Sequence, residues 1–155
     1  YPDLAVAVRK GRLALGALRD LTRLRMGVAE RKDLDVRPLR FLLTRLAMTL
    51  TCSPYVIAGV ARAEGRALGA FYGAEFGRNT YYLDGASAAQ NFGASWRLLF
   101  TMMERAFSRA PTGKFVMGYV DYELHEEARG GGLLRSRRAC RVSDYSTSIV
   151  RFRYG

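Results

Sequence analysis

Three groups of residues have the types and spacing to do chemistry. The first is a stretch of small residues, Gly85, Ala86, Ser87, Ala88 and Ala89, leading into Gln90-Asn91-Phe92-Gly93-Ala94-Ser95. Small residues let a backbone turn tightly and leave its N–H groups accessible. A helix that begins after such a loop adds its own unpaired N–H groups and positive dipole end, which suits a phosphate or carboxylate. The loop carries no lysine, so the same pattern also reads as an ordinary strand–loop–helix connection. The second group is Asp121, Tyr122, His125 and Glu126, where His125 is the only histidine. Imidazole alone has an unperturbed pKa near neutrality, which makes His125 a candidate for proton transfer and equally a solvated loop side chain. The third is the basic run Arg135, Arg137, Arg138 and Arg141, able to clamp phosphates or another acidic surface, or to form a solvated helix face. Cys52 and Cys140 are too far apart and too short of histidine partners for a zinc site, and no metal is expected. Cys140 has no neighbouring base that would make it a nucleophile.

The elements that must position these groups follow from periodicity. Leu4 to Arg31 reads as predominantly helical, with a stripe of Leu13, Leu18, Leu21, Leu24 and Val28. Gly11 and Gly16 weaken that segment, since glycine costs about 1 kcal/mol in a helix interior. Pro38 suits a first helical turn, and Leu39, Leu42, Leu43, Leu46 and Leu50 predict a second helix. Arg37, Arg40 and Arg45 lie on or beside it, as an anion-binding face or as solvated charge. Tyr55 to Ala63, Arg66 to Phe76 and Thr80 to Leu83 read as three antiparallel strands, turned at Glu64-Gly65 and Gly77-Arg78-Asn79. A helix follows with Trp96, Leu99, Phe100, Met103 and Phe107 on one face. Pro111-Thr112-Gly113 stops it. Lys114 to Val120 is then a strand, and Tyr145 to Tyr154 would close the sheet.

Composition bounds the function. A chain of 155 residues is expected to be one domain, 1–155, with apolar content for a real core, though starting at Tyr1 it could be a fragment. The net charge of +11 calls for a polyanionic partner. No apolar run approaches the roughly 20 residues of a membrane span, and the expected setting is the cytoplasm, with both thiols free.

From about Arg40 onward the chain resembles the GNAT N-acyltransferase fold, in its Fem-like branch. That branch includes the FemAB peptidoglycan aminoacyltransferases and the CelD/BcsL-type acetyltransferase domains. The likeness rests on Glu64-Gly65-Arg66-Ala67-Leu68-Gly69-Ala70, on Tyr81-Tyr82-Leu83-Asp84-Gly85-Ala86-Ser87 against a YYLYGAS-like string, and on Phe115-Val116-Met117-Gly118-Tyr119-Val120-Asp121 against one like FDLGGVD. The resemblance implies an α/β (α+β) fold, a mixed central sheet with an antiparallel meander, flanked by helices. It also implies that a Q/R-x-x-G-x-G/A loop holds coenzyme A pyrophosphate. Gln90, Gly93 and Ser95 fall at its three marked places, Ser95 departing from Gly or Ala, with Ala94 between. A splay between strands near Leu83 and Val120 would bare N–H groups for the oxyanion. Asp121, at a strand end, is the first choice of general base, then Glu126 or His125, with Tyr119 or Tyr122 as proton donor.

Three functions are consistent with these residues. An aminoacyl-tRNA-dependent N-acyltransferase accounts for both likeness and charge, and is favoured. An N-acyltransferase fed by acyl-coenzyme A or an acyl carrier protein makes better use of Gln90, Gly93 and Ser95. A non-catalytic GNAT-fold module that binds nucleic acid is the third. Neither enzyme would need a tightly bound cofactor, and the acceptor in both is an amine.

Overall fold

Two runs of this chain bury nearly every residue, so helices must cover both faces of the strands they form. They are Val56–Ala63 (β2) and Arg66–Phe76 (β3). The computed structural model describes residues 3–91 and 93–118, all within one compact unit, Tyr1–Gly118. Its sheet has the order β1-β2-β3-β4-β5, completed by Ala5–Lys10 (β1), Asn79–Ser87 (β4) and Phe115–Val116 (β5). Neighbours run antiparallel except β4 and β5, which are parallel. The fold is therefore the expected mixed sheet built on an antiparallel meander.

The first segment departs from expectation. Ala5–Lys10 is a strand, not the start of a helix, and pairs along its length from Ala5↔Arg62 to Lys10↔Ile57. Its Val6 and Val8 are half-buried while Ala5 and Ala7 are exposed, a period of two that the neighbouring glycines and leucines obscure. Gly11, at φ +62°, ends the strand and opens a 3-10 turn over Gly11–Ala14. Helix α1 is thus Leu15–Arg31, and Leu13, 72% exposed, belongs to the turn rather than to its stripe. Leu18, Leu21 and Leu24 are buried as expected, each contributing roughly 1.5–3 kcal/mol by its removal from water.

Helix α2, Pro38–Thr51, has its proline in the first turn and lies beside α1. Phe41, Leu42, Leu46 and Met48 pack against the core formed by α1 and the sheet, while Leu39, Leu43 and Leu50 are exposed. Helix α3, Ala94–Arg109, covers the opposite face, where Ile57, Ala61, Leu68 and Phe71 meet Ala94, Leu98 and Met102. Its buried face corrects the sequence reading. Ala94, Leu98, Met102 and Ala106 point inward, and Trp96, Phe100 and Phe107 are exposed. Beside Ile57, Leu68 and Phe71 the sheet beneath carries Gly59 and Ala61, and a Cβ on Gly59 would stand 2.9 Å from Leu98 Cδ1. Such close approach admits the slimmer stripe, and the larger aromatic one is left outside, with Trp96 stacked on Phe100 at 6.1 Å.

Buried polar groups tie the layers together. Tyr72, wholly buried, shares a hydrogen bond of 2.9 Å with Thr49 of α2. Glu75, 4% exposed, faces the α3 side and meets Lys10 Nζ at 2.9 Å, Arg105 Nε at 3.4 Å and Arg109 Nε at 3.7 Å. Arg109 also donates to Gly77 O and Asn79 O, locking the end of α3 to the β3–β4 turn. Two outcomes follow. Glu75→Gln should cost about 1–3 kcal/mol in urea unfolding, because its cations are partly solvated and can return to water. Burial raises the Tyr72 pKa above its ordinary 10.0, with Thr49 and Arg45 opposing. The unfolded chain then loses this proton first, so stability should fall as pH rises above 10.0. A Tyr72→Phe variant should show a shallower alkaline decline in melting temperature.

Candidate functional site

The middle of β4 carries one residue too many for its neighbour. Tyr72 pairs with Asp84 and Gly73 with Tyr82, so Leu83 has no partner on β3. Such a bulge bends the strand and reverses the alternation beyond it. Tyr82 accordingly packs on the α3 side, against Phe71 at 5.3 Å, while Asp84 and Ala86 face α1 and α2. On the other edge, β4 pairs with β5 only at Thr80↔Phe115 and Tyr81↔Val116. From Tyr82 onward that edge has no strand partner among the described residues. The bulge at Leu83 lies two residues beyond Tyr81, the last β4 residue paired with β5 among the described residues; a splay was expected near Leu83 and Val120, and Val120 lies outside the described residues.

Asp84 is the feature that sequence reasoning missed. It is 9% exposed and stands where the YYLYGAS-like string has a tyrosine, which was the signal available. Oδ2 accepts from Arg45 Nη2 of α2 at 2.9 Å, and Arg25 Nη1 of α1 stands 3.9 Å from Oδ1. Oδ1 also accepts the Gly85 N–H at 2.8 Å. A carboxylate with both oxygens so engaged braces the bulge against two helices. Arg45 is itself held between the rings of Phe41 and Tyr72, 5.2 and 5.4 Å from their centroids.

The small-residue stretch is shorter as a loop than expected. Gly85, Ala86 and Ser87 still belong to β4 and pair with Phe71, Ala70 and Gly69. Their smallness serves packing, because the Tyr82 ring lies over Gly85 where a Cβ would project. The loop proper begins at Ala88. Gln90 is exposed, and Asn91 organises the turn, accepting the Gly93 N–H at 3.2 Å on Oδ1 and the Ala94 N–H at 2.7 Å on its carbonyl. Gly93 takes φ +83° at the helix start, with open space around its Cα. Ala94 is fully buried, and the Ser95 Oγ is buried without a hydrogen-bond partner. Ser95 rests on Gly69, where a Cβ would stand 3.3 Å from Ser95 Cα.

Between the α1–α2 connector and α2 is a cleft of about 520 Å³. The α1–α2 connector contributes Asp35, Val36 and Arg37, and α2 contributes Arg40, Phe41, Thr44 and Arg45. The three arginines singled out in the sequence therefore line one space. Asp121, Tyr122, His125, Glu126, Tyr119, Cys140 and the run Arg135, Arg137, Arg138 and Arg141 lie outside the described residues. Cys52 is an exposed free thiol. Among the described residues no cluster of His, Cys, Asp and Glu could hold a metal ion, and no helix is long and apolar enough to cross a membrane.

No protein-family profile matches the chain, and no curated protein matches its sequence. Solved structures share its fold. The ribosomal-protein-alanine N-acetyltransferase of Brucella melitensis biovar Abortus 2308 superposes with a TM-score of 0.63 at 14% identity, over 96% of this chain and 99% of that one. An aminoglycoside N-acetyltransferase in complex with coenzyme A gives 0.64 at 8% identity, over 97% and 94%. FemX gives 0.66 at 12% identity over 86% of this chain, which spans 49% of FemX. These likenesses establish the GNAT-like fold.

The contact between α3 and β3 is directly testable. Gly69→Ala should force the first turn of α3 outward by a few tenths of an ångström and cost about 1–3 kcal/mol in chemical unfolding.

Proposed function

We propose that the protein is an N-acyltransferase that moves an acyl group from a coenzyme A thioester to an amine. The observation that carries this reading is at Leu83: β4 is bulged there, and among the described residues its edge has no strand partner from Tyr82 onward, ahead of the loop at Ala88 and the start of α3. Backbone N–H groups along such an edge suit the oxygen of an acyl carbonyl as it gains charge. The α3 start, with Gly93 in the left-handed conformation and its surroundings open, suits the phosphates of the donor. The acetyltransferase bound to coenzyme A shares this fold over nearly its whole length, which supports the same donor here.

In the reaction, the amine nitrogen attacks the thioester carbon, the N–C bond forms and the C–S bond breaks. The ammonium must first give its proton to a base, and the leaving thiolate must receive one. Asp121 is the first choice of base, with Glu126 and His125 behind it, and Tyr122 or Tyr119 the proton donor. Their support is their place in the sequence, shortly after β5. Gln90, Gly93, Ala94 and Ser95 form the donor loop in this reading.

A second donor, aminoacyl-tRNA, is favoured by two observations: the likeness to FemX and the net charge of +11. In that case Arg135, Arg137, Arg138 and Arg141 would meet the acceptor-stem phosphates. An acyl carrier protein would use the same basic surface. A third reading, a binding module without turnover, is separated by Asp121→Asn, which should abolish turnover and spare binding in either enzyme.

The donor is decided by thermal unfolding. Acetyl-coenzyme A at a hundredfold excess over its Kd should stabilise the protein by about 2.7 kcal/mol. Gly93→Asn, which tolerates the left-handed backbone, should keep this effect, and Gly93→Glu, which sets a carboxylate among the phosphates, should lose it. Absence of any coenzyme A effect, with tRNA binding that weakens steeply as salt rises, would replace the thioester with aminoacyl-tRNA.

A further inference from the structure

The cleft on α2 lies apart from the donor loop and connects to the bulge through one side chain. Arg45 lines its inner end and reaches Asp84, the residue after Leu83, at 2.9 Å. At the outer end Arg37 and Arg40 are exposed, and no carboxylate among the described residues pairs with either. The other arginines of α1 and α3 that touch an acid do so at Asp20, Asp84 or Glu75. Two guanidiniums without an ion-pair partner among the described residues, beside a concave space of about 520 Å³ with Asp35 the one carboxylate on its lining, are a different arrangement from charge spread along a solvated helix. Phe41 supplies an apolar wall between the two ends. Arg45 does not compete for a ligand, since its charge is already shared between Asp84 and two rings.

We propose that this cleft seats the anionic group of the acceptor, so that the amine acylated belongs to a molecule that is itself an acid. The carboxylate or phosphate would lie between Arg37 and Arg40, which match such groups by their planar fork of donors. The body of the molecule would rest on Phe41, and the amine would point past Arg45 toward the bulge. This inference rests on the N-acyltransferase reading and adds to it the class of acceptor. It concerns a face of the protein that the donor loop does not include.

The test compares amines that differ only in the acid. Calorimetric titration of the whole chain with L-phenylalanine against 2-phenylethylamine, and O-phosphoethanolamine against ethanolamine, distinguishes carboxylate from phosphate. The acid-bearing member of at least one pair should bind about tenfold more tightly, the effect of two partly exposed ion pairs. In Arg37→Gln/Arg40→Gln that preference should shrink to about twofold or less, with acetyl-coenzyme A affinity unchanged. No preference in either pair, or a preference that survives the double substitution, overturns the proposal. Loss of acetyl-coenzyme A affinity in the double variant overturns it too, because the cleft would then serve the donor. If acetyl-coenzyme A fails to bind the wild-type chain while an Arg-dependent preference is found, the donor reading falls and the anion site stands.

Discussion

A carboxylate removed from water must be met by cations or donors, and two such carboxylates set the arrangement of this protein. Glu75 lies on one face of the sheet and Asp84 on the other. Glu75 gathers Lys10 from β1 and two arginines from α3, and so fixes where α3 ends. Asp84 gathers Arg25 from α1 and Arg45 from α2, and so holds the helix pair against β4. Hydrophobic burial supplies most of the driving force, but apolar contact is non-directional. The two acids give it direction.

The bulge at Leu83 joins this scaffold to the site. Were Leu83 paired in ordinary alternation instead of bulged, Asp84 would fall on the same face as Tyr82 and meet α3 instead of α1 and α2. One inserted residue thus turns an acid toward its two arginines, two residues beyond the last β4–β5 pair among the described residues. Bracing by two helices keeps a locally irregular strand in one conformation, which the proposed use of its backbone N–H groups would require. The cleft on α2 hangs from the same brace, because Arg45 belongs to both.

Much of the architecture was legible in the residues. The hairpin at Glu64-Gly65 was read from the turn pair, and both residues do take positive φ, 51° and 72°. Arg66 to Phe76 and the α3 segment stand where period and punctuation put them. The inner face of α3 was not legible. Periodicity places Trp96, Phe100 and Phe107 together, but which stripe enters the core depends on what lies beneath it. Here the close approach at Gly59, among Ile57, Ala61, Leu68 and Phe71, admits Ala94, Leu98 and Met102. The loop after β4 was overextended for a similar reason. Small residues look alike whether they turn a chain or make room for a neighbour's ring.

What the sequence determines by itself is therefore local: turns, periods, the proline that opens α2, together with a net charge of +11. Those depend on backbone preferences and on side chains a few positions apart. The tertiary structure alone decided that Ala5–Lys10 is a strand, since an edge strand exists only by pairing with a partner some fifty residues away, Ile57 to Arg62. It alone brought Arg37, Arg40 and Arg45 around one cleft and set Asp84 between two helices. Each of these depends on register, and register is a relation between distant segments that neither segment carries alone.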